Sequence, residues 1–220
     1  MVTKQLLKKF LYKVKIPFLF RLYLPNLFIK LKTLYTLFRD KEAREFFSKL
    51  KKENNYDFYD LGGFHGVYTQ MALWAGKSHN LILLEANPAN AIFCKNLKNR
   101  KKINIINKAY SLSSESLSFF IPKVKKTQYG GIENGCGSLY IETLKEDSFN
   151  KIEVDPINMQ KLISLHKKNE NMLIKVDVEG NEKDFIEELN ILKNNYKKII
   201  ILIEINNYNT EIALQKFSET

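Results

Sequence analysis

The chain has 220 residues, 45% of them hydrophobic and 27% charged, with nine Gly and five Pro. That describes one globular domain with a substantial core, and it excludes a collagen-like chain, a disordered tail and a multi-domain array. The formal charge of +11 is lopsided: residues 1–52 carry 14 Lys and Arg against three Asp and Glu, and the remainder is balanced. A neutral body with a cationic arm follows, the arm being suited to phospholipid headgroups, nucleic acid or an acidic partner. Cys94 and Cys136 build no disulfide framework and no C-x-x-C pair is present, so a reducing, intracellular setting is the default.

In the arm, Leu22 to Ile29 is the longest stretch without charge, far below the roughly 20 apolar residues of a bilayer crossing. Arg21 interrupts any signal-peptide core, and no cleavage is expected. Leu6, Phe10 and Val14 share a helical face with Leu7 and Leu11, opposite Lys4, Lys8, Lys9 and Lys13, which predicts a basic amphipathic helix ending before Pro17. Through residues 1–15 this helix suits an anionic membrane surface, and equally a cap packed on the body. A second helix starts near Asn26 with Leu27, Leu31, Leu34 and Phe38 as a stripe fit for core burial. Asp40 caps a third that contains Phe46, Phe47 and Leu50. The predicted division is a helical extension over 1–52 and a second unit over 53–220.

From Tyr56 onward, strands and helices alternate. Strands are predicted at Tyr56–Leu61, Leu81–Leu84 and Ile103–Ile106, with helices at Tyr68–Ala75 and Ala89–Asn99 between them. The pattern is that of an α/β fold with parallel strands and crossover helices. Leu117–Ile121, Ser138–Ile141 and Lys151–Val154 interrupt it as an inserted hairpin or meander. Alternation resumes with a helix at Met159–His166, a strand at Met172–Val176, a helix at Glu182–Leu192 and a strand at Lys198–Ile205. That last strand is apolar on both parities and is predicted to be central. His79 and His166 read as surface residues.

Open parallel sheets bind ligands beyond the carboxyl ends of their strands. There lie Asp60-Leu61-Gly62-Gly63-Phe64-His65-Gly66 and, 25 residues beyond Asp60, Glu85-Ala86-Asn87-Pro88, near the spacing at which a carboxylate grips ribose hydroxyls. A nucleoside-containing cofactor is the economical inference. Neither G-x-G-x-x-G nor a P-loop is present. An acidic residue before a glycine turn suits a ligand with an ammonium group, such as the amino-acid end of S-adenosylmethionine. On Lys175-Val176-Asp177-Val178-Glu179, strand parity gathers Lys175, Asp177 and Glu179 on one side, and Lys175 needs a carboxylate partner, Asp177 or Glu204.

These segments, with Lys108-Ala109-Tyr110-Ser111, Gly137-Ser138, Ile174 to Glu182 and Ile203-Glu204, resemble the FkbM-type S-adenosylmethionine-dependent methyltransferases from about Tyr56 to Asn206. The resemblance implies a class I (Rossmann-like) methyltransferase sheet and O-methylation of a hydroxyl, commonly on a sugar or polyketide. It implies that Asp60, Gly62 and Gly66 hold the methionine portion, Glu85 the ribose hydroxyls, and Lys108 and Ala109 the adenine. Gly63 and Ala86 sit within the same cofactor-binding motifs. The chain departs from the family pattern at Gly63-Phe64, where Ala-Asn is usual, and at Met159-Gln160, where Leu-Asp is usual. Only 14 residues follow Asn206, so an abbreviated C-terminus is expected.

Methyl transfer from a sulfonium needs alignment of the acceptor oxygen and a receiver for its proton. Asp177 is assigned that role, with Glu179 binding acceptor hydroxyls or sharing it and His65 as a weaker candidate. The acceptor expected is a sugar hydroxyl of a surface glycan or glycolipid, in the cytoplasm or on the inner face of the membrane. No metal-ligand spacing is present, although scattered carboxylates leave a divalent ion open. Two alternatives stand: a catalytically inactive binding module of the same fold, and a nucleic-acid methyltransferase using the basic arm. Against the second, no nucleic-acid-reading module is visible.

Overall fold

The computed structural model describes residues 23–97, 103–123, 125–126, 132–133, 139, 149–178 and 180–204. The predicted amphipathic helix of the first 15 residues, the predicted strand Ser138–Ile141 apart from Leu139, Gly137, Cys136, Glu179 and the chain beyond Glu204 lie outside them. Among the described residues the chain opens with helices α1 (Pro25–Arg39) and α2 (Lys41–Lys52). Pro25 starts α1 at a position where a missing N–H costs nothing, and the Asp40 carboxylate accepts from the Ala43 N–H (3.1 Å) to cap α2.

The body follows as β1 (Tyr56–Leu61), α3 (Val67–Ala75), β2 (Ser78–Leu84), α4 (Pro88–Cys94) and β3 (Ile103–Ile106). Next come β4 (Ala109–Tyr110), β5 (Leu117–Pro122), β6 (Lys125–Lys126), β7 (Ile132–Glu133), β8 (Phe149–Val154) and β9 (Pro156–Ile157). The described chain closes with α5 (Met159–Ser164), β10 (Asn171–Val176), α6 (Glu182–Glu187), α7 (Leu189–Asn195) and β11 (Lys198–Ile203). Five strands form one parallel sheet in the order β11-β10-β1-β2-β3. The order reverses beside β1, so the crevice beyond the ends of β1, β2 and β10 is where a ligand fits. The expected insertion is present as the antiparallel pair β5–β8, from Leu117 opposite Val154 to Pro122 opposite Phe149.

The apolar side chains divide between the two faces of the sheet. One core holds Tyr59, Leu61, Ile82, Ile174, Phe185 and Leu192; the other holds Phe58, Met71, Leu83 and Leu173 together with Ile29, Phe46 and Leu50 of α1 and α2. Burial on both faces explains why β1 is inaccessible along its whole length.

Four expectations are corrected. The strand Lys198–Ile203, predicted to be central, is the edge strand of the described sheet and is only half-buried, because its apolar run packs on helices at both faces without a described neighbour beyond it. The helix predicted over Glu182–Leu192 divides at Glu188. That carboxylate turns inward, accepting from Tyr110 Oη (2.5 Å) and the Met159 N–H (2.8 Å), and so serves the start of α5. The stripe Leu27, Leu31, Leu34 and Phe38 is exposed, at 41, 42, 56 and 53%. Ile29 and Thr33 face the core instead, and Phe28 meets His65 and Phe93 edge-on. Finally, His166 is not a surface residue: its Nε2 lies 3.0 Å from Tyr59 Oη and 3.4 Å from Asp57 Oδ2, in a buried network at the amino ends of the strands.

Candidate active site

The turn after β1 is built on backbone constraints. Gly62 (φ +72°) and Gly63 both donate N–H to the Leu84 carbonyl at 2.9 Å, which ties the ends of β1 and β2 together. A Cβ on Gly62 would overlap the carbonyl oxygen of Asp177, and one on Gly63 would meet the Leu83 side chain. Phe64 takes the left-handed conformation (φ +47°) that non-glycine residues avoid. Its N–H donates to Glu85 Oε2 (2.7 Å), which holds the strained turn in place. Gly66 (φ +71°) then caps α3.

A cleft of about 610 Å³, its open mouth included, lies beyond these strand ends. Gly62, Phe64, Glu85, Ala86, Lys108, Ala109 and Asp177, all named from the sequence, line it. Tyr110, Phe119, Leu139, Asn90, Leu84 and Val178 complete the wall. Phe119 and Leu139 carry no local signal of a site and reach the cleft only because the insertion brings them to it. Asn90 had one legible signal: it falls a turn beyond the Asn87 cap of α4, and its amide hydrogen-bonds Glu85.

Glu85 is 6% exposed, and burial pushes its pKa up against the hydrogen bonds from the Asn87 and Phe64 N–H groups. Each of its oxygens takes one backbone N–H and one of them also the Asn90 amide, which leaves one lone pair for a ligand hydroxyl. Lys108 reaches Asp155 (3.4 Å) at the rim. Lys175, at the end of β10, donates to the Gly62 carbonyl (2.8 Å) and to Asp177 Oδ2 (3.0 Å), and its ammonium stands 3.9 Å from Asp60 Oδ1. The Asp177 side chain keeps a quarter of its surface exposed. Glu204, just beyond β11, has its pKa raised by the Asp177 charge and by burial, so it stands close to that carboxylate.

Asp60, Gly63, Gly66 and His65 do not line the cleft. Asp60 is wholly buried, with Oδ2 accepting from the Thr69 N–H (3.0 Å) and Oγ1 (2.7 Å), and burial raises its pKa despite the Lys175 charge. It ties α3 to β1 from below the glycine turn, which corrects its assignment as a direct ligand of the methionine portion. His65 turns away: its ring stacks on Phe64 (3.7 Å between centroids) and meets Phe28 and Phe93 edge-on, and its Nδ1 lies 2.9 Å from Lys32 Nζ. That apolar packing, fixed by the left-handed Phe64, corrects its candidacy as a base. Glu179 lies outside the described residues.

The sequence pattern of the methyltransferase FkbM domain matches residues 60–219. The chain belongs to this family. No curated protein matches it. Among solved structures it is similar to precorrin-6y C5,15-methyltransferase from Geobacter metallireducens GS-15, with 11% identity and a TM-score of 0.44 over 82% of this chain and 71% of that one. This FkbM chain is an S-adenosylmethionine-dependent methyltransferase. The residues present fit that cofactor. The space that a Gly62 side chain would fill lets the two strand ends close up beside Asp177, Glu85 offers a lone pair to ribose, and Ala86, Ala109, Phe119 and Leu139 give an apolar slot for a base. Among the described residues no group of three or more His, Cys, Asp or Glu could hold a metal ion. No described helix is long and apolar enough to cross a membrane.

Proposed function

We propose that this FkbM methyltransferase methylates a hydroxyl group of a sugar, in a glycan or glycolipid, with Asp177 receiving the acceptor's proton. The observation that carries the reading is Asp177 itself: a partly exposed carboxylate on the cleft wall, oriented by Lys175 at 3.0 Å. When bound, S-adenosylmethionine supplies a methyl group activated by its sulfonium.

The protein's contribution is alignment and proton handling. Lys175 is fixed at its other side by the Gly62 carbonyl, so it holds Asp177 Oδ2 in place and leaves Oδ1 for the acceptor. A sugar hydroxyl is a poor acid, and a hydrogen bond to that oxygen would orient the acceptor and give its proton a destination. Glu204, whose pKa the neighbouring Asp177 charge and burial raise, suits a second acceptor hydroxyl. Phe119 and Leu139 shield the cleft from water. The reaction belongs in the cytoplasm, where the methyl donor is made.

The test is Asp177→Asn, assayed with S-adenosylmethionine and a panel of reducing sugars, polysaccharide fragments and RNA. The expected result is a fall in kcat of about 10²- to 10⁴-fold on a sugar acceptor, with cofactor binding by calorimetry retained. Full activity of the variant, or methylation of RNA alone, would remove the proposal.

A further inference from the structure

Two segments singled out in the sequence, Lys108-Ala109-Tyr110-Ser111 and the end of Ile174 to Glu182, meet behind the cleft. Ala109 and Tyr110 form β4 and belong to the cleft wall, Ala109 in its apolar slot. Among the described residues β4 is no part of the main sheet and pairs only with the two residues of β9. So short a ladder needs further support to hold a wall in one position. Side chains from the stretch after β10 supply it.

Asn181 Nδ2 donates to the Tyr110 carbonyl (2.6 Å). Asp184 Oδ2 accepts from Ser111 Oγ and the Leu112 N–H, both at 2.9 Å, and from Asn181 Nδ2 at 3.0 Å. Glu188 Oε2 takes the Tyr110 phenol (2.5 Å) and the Met159 N–H (2.8 Å). Spacings of three and four put Asn181, Asp184 and Glu188 on one side of the path of α6. Asn181, Glu188 and Tyr110 are all buried, so water does not compete for the bonds between them. Burial and the Glu188 charge raise the Tyr110 pKa, which keeps the phenol a donor. Phe185 of α6 meets the same ring edge-on, with 6.1 Å between centroids. Asn181, Asp184 and Glu188 do not themselves line the cleft, so their effect on a ligand passes through β4.

We propose that Asn181, Asp184 and Glu188 are positioning residues for the cofactor: they clamp β4 from behind and so fix the wall against which the base of S-adenosylmethionine is held. The chain that carries them leaves the cleft at Asp177 and Val178, so a single segment serves both the reacting end and the base end of the site. The inference rests on the base lying in the slot beside Ala109, and is independent of the acceptor.

The experiment is calorimetry of the full chain with S-adenosylmethionine, at a temperature well below every variant's melting point. Tyr110→Phe keeps the ring on the cleft wall and removes only its bond to Glu188. This variant, Asn181→Ala and Glu188→Ala should each weaken cofactor binding about tenfold. Glu188→Gln, whose amide oxygen can still accept from the phenol, should restore most of that loss. Should Glu188→Ala fold poorly, Tyr110→Phe and Asn181→Ala carry the test. Wild-type affinity in both of these, whatever their melting temperatures, would overturn the proposal and leave a clamp that serves stability alone. Ala86→Phe, which fills the slot from a half-buried position, distinguishes that failure from failure of the cofactor reading. Blocked binding in Ala86→Phe beside unaffected Tyr110 and Asn181 variants overturns the clamp only; undiminished binding in Ala86→Phe, or none by the wild type, overturns the slot and the clamp together.

Discussion

A side chain on Gly62 would overlap the main-chain carbonyl oxygen of Asp177. The glycine that opens the turn after β1 and the carboxylate proposed as proton acceptor are therefore packed backbone to backbone. Gly62 also sits at φ +72°, so an alanine there meets both a steric and a conformational penalty. Gly62→Ala is expected to cost about 3 kcal/mol or more and to lose cofactor binding. Gly66→Ala, at φ +71°, meets the same conformational penalty but a movable Leu97 side chain in place of backbone, and should cost only about 1–2 kcal/mol. Urea midpoints and calorimetry of the pair check this; equal effects would contradict it.

Lys175 is the counter-charge for two carboxylates, Asp177 at 3.0 Å and Asp60 at 3.9 Å. Lys175→Met leaves Asp60 buried with no cation beside it and should destabilise the protein by about 3–5 kcal/mol. Asp60→Asn in the same chain removes the stranded charge, so the double variant should recover part of the loss. A double-mutant cycle in urea measures the coupling, and strict additivity would show that the pair is energetically silent.

Asp57 presents a pH-dependent case at the other end of the sheet. Burial pushes its pKa up, but hydrogen bonds from His166, the Asn169 N–H and Asn80, with the His166 charge, outweigh that and hold it below the ordinary carboxylate range. A lowered folded pKa gives stability that is present above the unfolded value of about 3.9 and lost as pH falls through the folded one. Asp57→Asn should thus cost about 2–3 kcal/mol at pH 7, and the gap from the wild type should close on acidification. A gap that stays constant down to pH 3 would refute this.

Glu204 carries the opposite sign. The Asp177 charge, then burial, raise its pKa, so the folded state holds its proton more tightly and the resulting penalty appears as pH rises through the raised value. Glu204→Gln should raise the melting temperature at pH 7, by less than about 1 kcal/mol in stability because the group is exposed, and should lose that advantage near pH 4. Thermal scans at both pH values decide it.

The strands were legible where local pattern and burial agree. Tyr56–Leu61 and Ile103–Ile106 have the bounds that their β-branched and aromatic runs predict, and α2 starts at the Asp40 cap. Glycines and carboxylates at strand ends pointed to the cleft because strand periodicity and the crossover rule fix where those ends lie. What could not be read was long-range. Both faces of α1 are apolar, and periodicity alone does not say which one the body takes. Glu188 breaks a helix for the sake of Tyr110 and Met159, far away in the chain. His65 neighbours a glycine motif yet turns aside, its ring stacked on Phe64 and packed edge-on against Phe28 and Phe93, which come from distant parts of the chain.

Asp60 lies fully sheltered beneath the turn, clamped to Thr69 on the helix that follows. An inactive Asp60 variant would thus report a sprung hinge between strand and helix rather than a missing handhold for the methyl donor. Genetic dissection of this enzyme should start from Asp177, which stands on the cleft wall rather than in that joint.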